Sequence, residues 1–247
     1  MSDFERYRDY SSTFNENYEK AYQFLESQIQ DYLRQQNASI TVLDVGCGDG
    51  WMAEILGAHS GHEVQYLGVD PAANPIQRLE QKSIANVKIQ CLKIQAQDLL
   101  SFSGVEELRN AYQRLTGKNE QPEFDLVLCN ATGHQIRKNH LDQNGEPREV
   151  REVYDNLASY LAPNGTIIIS DYYYPSSVSD DQEEHSQFWI RSMTGQQPTH
   201  RNGFIAPAIV RNGLISEGLE IISEPEAVRS NDHIHLYYYS ISARKQN

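Results

Sequence analysis

Between residues 39 and 171 the chain alternates five short apolar runs with four helical stretches, and no other feature constrains the fold as strongly. The runs are SITVLDV (39–45), VQYLGVD (64–70), NVKIQCLKI (86–94), FDLVLCN (124–130) and TIIISD (166–171). The first is continuous and rich in β-branched residues, so it reads as a strand buried on both faces. GWMAEILGA (50–58), NPIQRLEQK (74–82), VEELRNAYQRL (105–115) and VREVYDNLASYL (150–161) lie between the runs and predict helices. In the second of these, Asn74 is expected as N-cap with Pro75 at the first helical position. APNG (162–165) predicts a turn before the fifth strand. Such alternation implies βαβ units and a parallel sheet covered by helices on both faces.

The flanks differ in rhythm. Over 16–34, Tyr18, Ala21, Tyr22, Leu25, Ile29, Tyr32 and Leu33 share one helical face. Residues 1–37 are therefore expected as an N-terminal helical cap, and 38–247 as the main domain. Residues 172–204 are long, polar and aromatic, with no strand or helix assigned. A helix is expected over about 205–217, followed by LEIISEP (219–225) and HIHLYYYSISAR (233–244) as an antiparallel pair at the sheet edge. Tyr237 to Tyr239 are expected there as packing residues.

Charge and cysteine usage narrow the setting. Asp+Glu number 34 against 21 Lys+Arg, a net charge of −13, and no basic cluster exceeds a pair. Nucleic acid is excluded as a partner on that ground. Cys47, Cys91 and Cys129 are odd in number and unpatterned, so neither a disulfide framework nor a zinc site is expected. The polar N-terminus has no signal-peptide core, and no stretch approaches 18 apolar residues. These features predict a cytoplasmic protein without a membrane partner.

Polar residues and glycines concentrate at the strands' C-terminal ends, where open α/β sheets bind ligands. The first strand runs into DVGCGDGWM, with glycines at 46, 48 and 50. Glycine permits positive φ and lets a ligand approach the backbone. The second strand ends in Asp70, placed to accept hydrogen bonds from both hydroxyls of a ribose. Together they select a nucleoside-containing ligand. ATP would call for a Lys after the glycines, and none follows. A dinucleotide would call for G-x-G-x-x-G, and Trp51 fills the third glycine's slot. S-adenosylmethionine has no phosphate, and its sulfonium and ammonium suit a loop carrying Asp44 and Asp49.

Here the sequence resembles the class I S-adenosylmethionine-dependent methyltransferases. VLDVGCGDG resembles the family's first motif, LGVDP its ribose-binding strand end, FDLVLCNATGHQI its fourth-strand motif and YLAPNGTIIISD its fifth. The resemblance is strong over 38–171 and looser over 172–243. It implies a Rossmann-like three-layer α/β sandwich, with a seven-stranded sheet in the order 3-2-1-4-5-7-6 and strand 7 antiparallel. It implies S-adenosylmethionine as cofactor, S-adenosylhomocysteine as product, and no metal. Asp44 and the backbone of Gly46, Cys47 and Gly48 would face the methionine part. Asp70 would bind the ribose, with Pro71 beside the adenine. Gln95 and Ala96 match the adenine-reading positions, with Asp98 as the alternative acid or a helix cap. Asn130 would meet the methionine amino group through its carbonyl.

Methyl transfer from a sulfonium is an in-line displacement that needs positioning more than acid–base help. Where a base assists, His134 is the candidate, above the fourth strand. Residues 172–204 occupy the place of the family's acceptor lid, and Tyr172, Trp189, His200 and Arg201 are the candidate substrate contacts. The acidic stretch DDQEEH (180–185) reads as a solvated loop rather than a metal site. NATG (130–133) lacks the Pro-Pro-aromatic tetrad of nucleic-acid amino-methylating enzymes, and the Asp pair of catechol-type enzymes is also missing. The acceptor expected is a small molecule. A protein side chain, aminopropyl transfer and a non-catalytic binding role are the alternatives, and a homodimer is the assembly considered.

Overall fold

The computed structural model describes residues 23–132, 156–194, 206–231 and 234–246. Helix α1 spans 23–33. Then follow β1 (Ile40–Val45), α2 (Trp51–His59), β2 (Val64–Val69), α3 (Ala73–Glu80), β3 (Val87–Leu92), a 3-10 turn (Ala96–Leu100) and α4 (Phe102–Thr116). The chain continues through β4 (Phe124–Asn130), β5 (Leu161–Tyr173), α5 (Asp180–Thr194), α6 (Pro207–Ser216), β6 (Leu219–Asn231) and β7 (Ile234–Lys245). The sheet order is β3-β2-β1-β4-β5-β7-β6. β1 to β5 pair in parallel, and β7 is antiparallel to both β5 and β6. Both the sheet order and the antiparallel seventh strand agree with the resemblance.

Side chains alternate between two cores. Ile40 and Val42 of β1 join Leu25 and Ile29 of α1, Met52 and Leu56 of α2, and Ile76 and Leu79 of α3. Leu43 and Val45 point the other way, toward Leu108, Tyr112 and Leu115 of α4 and Val210 and Leu214 of α6. This period-two alternation makes three layers, with the sheet in the middle. α1 is part of the first layer. It is also tied to the sheet by polar contacts: Tyr32 Oη donates to the Asp125 carbonyl at 3.0 Å. Ser240 Oγ donates to Gln28 Oε1 at 2.5 Å and lies 2.8 Å from Ser170 Oγ.

Four local readings change. Asn74 is not an N-cap: α3 starts two residues earlier with Ala72 in that place, and Ala72 makes no side-chain cap. Asp70 fills the need instead, accepting the Ala72 N–H at 2.8 Å, so a strand-end carboxylate caps the next helix. The APNG turn lies inside β5, where Asn164 takes φ 62° and the register against β4 shifts between Phe124 and Leu126. DDQEEH is the first turn of α5 rather than a loop. Ser179 and Gln182 form a reciprocal capping pair there, at 2.9 and 3.3 Å, and the helix dipole favours the acidic first turn. Glu183 is buried and accepts from Gln187 Nε2 at 2.8 Å. Finally, Tyr237 to Tyr239 lie on an internal strand, because β6 takes the edge.

Candidate functional site

The C-terminal ends of β1, β2 and β4 meet around the glycine loop. Gly46, Gly48 and Gly50 take φ of 79°, 54° and 88°. The Gly46 and Cys47 N–H groups both donate to the Val69 carbonyl, at 2.8 and 3.1 Å, which fixes the loop onto β2. The three glycines serve two different needs. A Cβ on Gly46 would lie 1.8 Å from Thr132 Oγ1, and one on Gly50 would lie 2.3 Å from Leu79 Cδ1. A Cβ on Gly48 would meet nothing within 4 Å. Packing therefore explains the first and last glycines, while Gly48 presents bare backbone to open space.

Two buried carboxylates flank that backbone. Asp70 Oδ2 accepts the Gly48 N–H at 3.0 Å while its Oδ1 caps α3, so one side chain joins the loop to the following helix. Burial raises its pKa, and the two backbone N–H donors oppose that rise. Asp44 is 1% exposed and accepts a hydrogen bond from Tyr66 Oη. Burial pushes Asp44 up to about 7, the Tyr66 hydrogen bond opposes this, and the nearby Asp70 charge adds to it. Among the described residues no Lys, Arg or His pairs with either carboxylate. Asp49 differs, lying 3.8 Å from Arg78 Nε of α3. Of the two loop acids expected to favour a cation, only Asp44 is left without one.

β4 closes the other side. Thr132 Oγ1 lies 3.2 Å from the Val45 carbonyl and 2.9 Å from the Asn130 carbonyl, and so ties β4 to β1 above Gly46. Ala131 between them takes φ 50°, a strained conformation for a residue with a Cβ. Asn130 Oδ1 accepts from Tyr238 Oη at 2.7 Å. Tyr172 packs edge-on against Tyr238, with ring centroids 5.2 Å apart. One continuous chain of contacts thus runs from the expected substrate residue Tyr172 to the glycine loop. The sequence assigns no role to Thr132 or Tyr66 and marks Tyr238 only as a packing residue.

The remaining candidates divide. Pro71 is exposed beside Asp70. Gln95 and Asp98 hold each other in a capping box around the 3-10 turn: Asp98 Oδ2 accepts the Gln95 N–H at 3.0 Å, and Ala96 is buried at its start. Asp98 therefore caps a helix, while the Gln95 residue stays exposed. Cys47, Cys91 and Cys129 are all buried and unpaired. Burial raises each thiol, Cys91 to about 12, so they pack as neutral groups. Trp189 lies on α5, and its side chain is outside the description. His134, His200 and Arg201 lie outside the described residues, as do Tyr18, Ala21 and Tyr22 of the expected N-terminal helix.

The donor set fits a cationic nucleoside. Among the described residues it offers buried carboxylates without a countercharge, an open stretch of backbone at Gly48, and N–H groups of Gly46, Cys47, Gly48 and Gly50 that are already bonded within the protein rather than free for a phosphate. Known proteins agree on the architecture. Magnesium protoporphyrin IX methyltransferase from Synechocystis PCC 6803, solved with S-adenosylmethionine, is 15% identical. It aligns over 100% of this chain and 92% of its own, with a TM-score of 0.59. The N-methyltransferase NodS from Bradyrhizobium japonicum WM9 is 14% identical over 92% of this chain and 98% of its own, with a TM-score of 0.53. A SAM-dependent methyltransferase from Aquifex aeolicus is 14% identical over 89% and 88%, with a TM-score of 0.51. At these identities the likeness shows the fold alone. No curated protein matches the sequence. The family model described as a methyltransferase domain matches residues 14–212. With most of its length matched by that model, and with the sheet order and glycine loop in place, the chain belongs to the class I S-adenosylmethionine-dependent methyltransferases.

Proposed function

We propose that this enzyme transfers a methyl group from S-adenosylmethionine to an oxygen or nitrogen nucleophile of a small molecule. The observation that carries the cofactor assignment is the bare backbone of Gly48 between two buried carboxylates that have no cationic partner among the described residues. When bound, S-adenosylmethionine supplies a methyl group already activated on a sulfonium.

The protein's own work is positioning. Asp44 and the Gly46–Gly48 backbone hold the methionine end, and Asp70 accepts from the ribose. A carboxylate oxygen that takes one backbone N–H keeps a lone pair for a hydroxyl. Pro71, Gln95 and Ala96 border the adenine, and the Asn130 carbonyl faces the amino group. Tyr172, with Trp189, His200 and Arg201 of segment 172–204, contacts the acceptor. The net charge of −13 favours a small acceptor over nucleic acid, and the three free cysteines suit a reducing cytoplasm. Among the described residues no helix is long and apolar enough to cross a membrane.

The test is a metabolite panel incubated with donor carrying a labelled methyl group. Label in the small-molecule fraction, with S-adenosylhomocysteine formed in equal amount, is expected. Label confined to protein would favour side-chain methylation, and no turnover with any acceptor would leave a binding role. If His134 is the base, His134→Ala lowers kcat by about 10²-fold or more. S-adenosylhomocysteine affinity would not change. Unchanged turnover in that variant would remove His134 from the mechanism.

A further inference from the structure

Tyr66 has no part in the assignments above, yet it makes the hydrogen bond to Asp44. The two come from neighbouring parallel strands. Asp44 is in register with Gly68, and Tyr66 lies two residues before Gly68, on the same sheet face. Gly68 makes the contact feasible: a Cβ there would lie 3.1 Å from Tyr66 Cε1 and 2.8 Å from Cys47 Sγ. The motif is therefore Tyr-x-Gly-x-Asp along β2, an aromatic ring laid over a glycine so that its hydroxyl reaches the adjacent strand.

The ring is 0% exposed. Among the described residues, the titratable groups whose charge couples to Asp44 are Tyr66 and Asp70 from the β2 side, Cys47 from the loop and, on the far face of β4, Cys129. None is a cation. Asp44 is thus buried, among the described residues, with one donor, one like charge and no countercharge, a setting that favours the neutral acid until a cation arrives.

We propose that Tyr66 is a positioning residue of the cofactor site: its hydroxyl orients Asp44 and favours the carboxylate form, the cofactor's ammonium supplies the missing countercharge, and binding therefore releases one proton from Asp44 to solvent. This rests on the methyl-donor reading above. Burial already brings Asp44 up to about 7, so the coupling falls within the physiological pH range. The sign follows directly. Below that value the free protein carries a protonated Asp44, which must ionise to bind, so affinity rises with pH and levels off above it.

The experiment is calorimetric titration of the full chain with S-adenosylhomocysteine from pH 5.5 to 8.5, in buffers of contrasting ionisation enthalpy. Wild type is expected to bind about tenfold more tightly per pH unit at the acid end, to reach a plateau above pH 7–8, and to release close to one proton at low pH. Tyr66→Phe keeps the ring and removes the donor. Its plateau should move to higher pH, with about tenfold weaker binding at pH 7 and a narrowing gap by pH 8.5. Asp44→Asn keeps an acceptor for Tyr66 and cannot titrate, so its weakened binding should be independent of pH and release no proton. Binding by wild type that neither varies with pH nor releases a proton would overturn the coupling. An equal loss in Tyr66→Phe at every pH would overturn the role of Tyr66. If wild type binds no S-adenosylhomocysteine at any pH, the methyl-donor reading itself fails, a different result from either.

Discussion

Replacing Gly48 with leucine is expected to abolish binding of S-adenosylmethionine and S-adenosylhomocysteine while leaving the protein folded. Two observations separate the effects. A Cβ at this position meets no atom within 4 Å, so the new side chain starts into open space rather than into packed core. It projects instead into the space beside the loop, where the methionine part would lie. The cost to folding is that of a left-handed conformation at φ 54°, roughly 1–2 kcal/mol. That is a small part of typical domain stability. Gly46 provides the contrast. Its Cβ would fall 1.8 Å from Thr132 Oγ1, so Gly46→Leu must break the β1–β4 junction and should lower stability as well as binding. Thermal melts beside equilibrium binding read the difference. A Gly48→Leu protein that binds at wild-type affinity would remove the ligand from this face of the loop.

Asp70→Asn is expected to weaken cofactor binding by about 100-fold or more. The carboxylate accepts the Gly48 N–H on one oxygen and the Ala72 N–H on the other. An amide has one acceptor oxygen and one NH2 group, so either of those backbone donors would then face another donor. Losing one charge-assisted hydrogen bond costs about 1.5–3 kcal/mol. The loop and the start of α3 lose their shared anchor, and a ribose loses an acceptor. Stability should fall by less, because the substitution also removes a buried charge whose pKa burial had raised. Affinity measured by calorimetry and stability measured by denaturant melts check the pair of effects. A loss of stability with unchanged affinity would make Asp70 a structural cap only.

Much of this architecture is written locally. β-branched runs between helical segments dictate the parallel strands, and glycines after β1 mark the loop. What escaped reading lies where partners are distant or signals are short. The α5 start depended on a capping pair, Ser179 with Gln182, inside a segment dominated by polar residues. Asp49 is a loop acid in sequence, but Arg78 of α3 meets it in space. Thr132 looks like a turn residue until β1 is placed beside β4. Tyr66 looks like core until register sets Asp44 opposite Gly68, within reach of the Tyr66 hydroxyl. That last contact left a readable trace, since glycine in a strand two residues after an aromatic side chain marks a close approach. Asp98, expected as an alternative acid or a helix cap, is the cap, and its capping-box partner is Gln95, which was expected at the adenine.

The proposed site sets a cationic nucleoside against the backbone of Gly48 between Asp44 and Asp70. Calorimetric titration of the full chain with S-adenosylhomocysteine at pH 8 tests it most directly. The prediction is saturable binding of one ligand per chain in the micromolar range, lost in Gly48→Leu. No saturable binding at millimolar ligand, from protein that melts cooperatively, would contradict it.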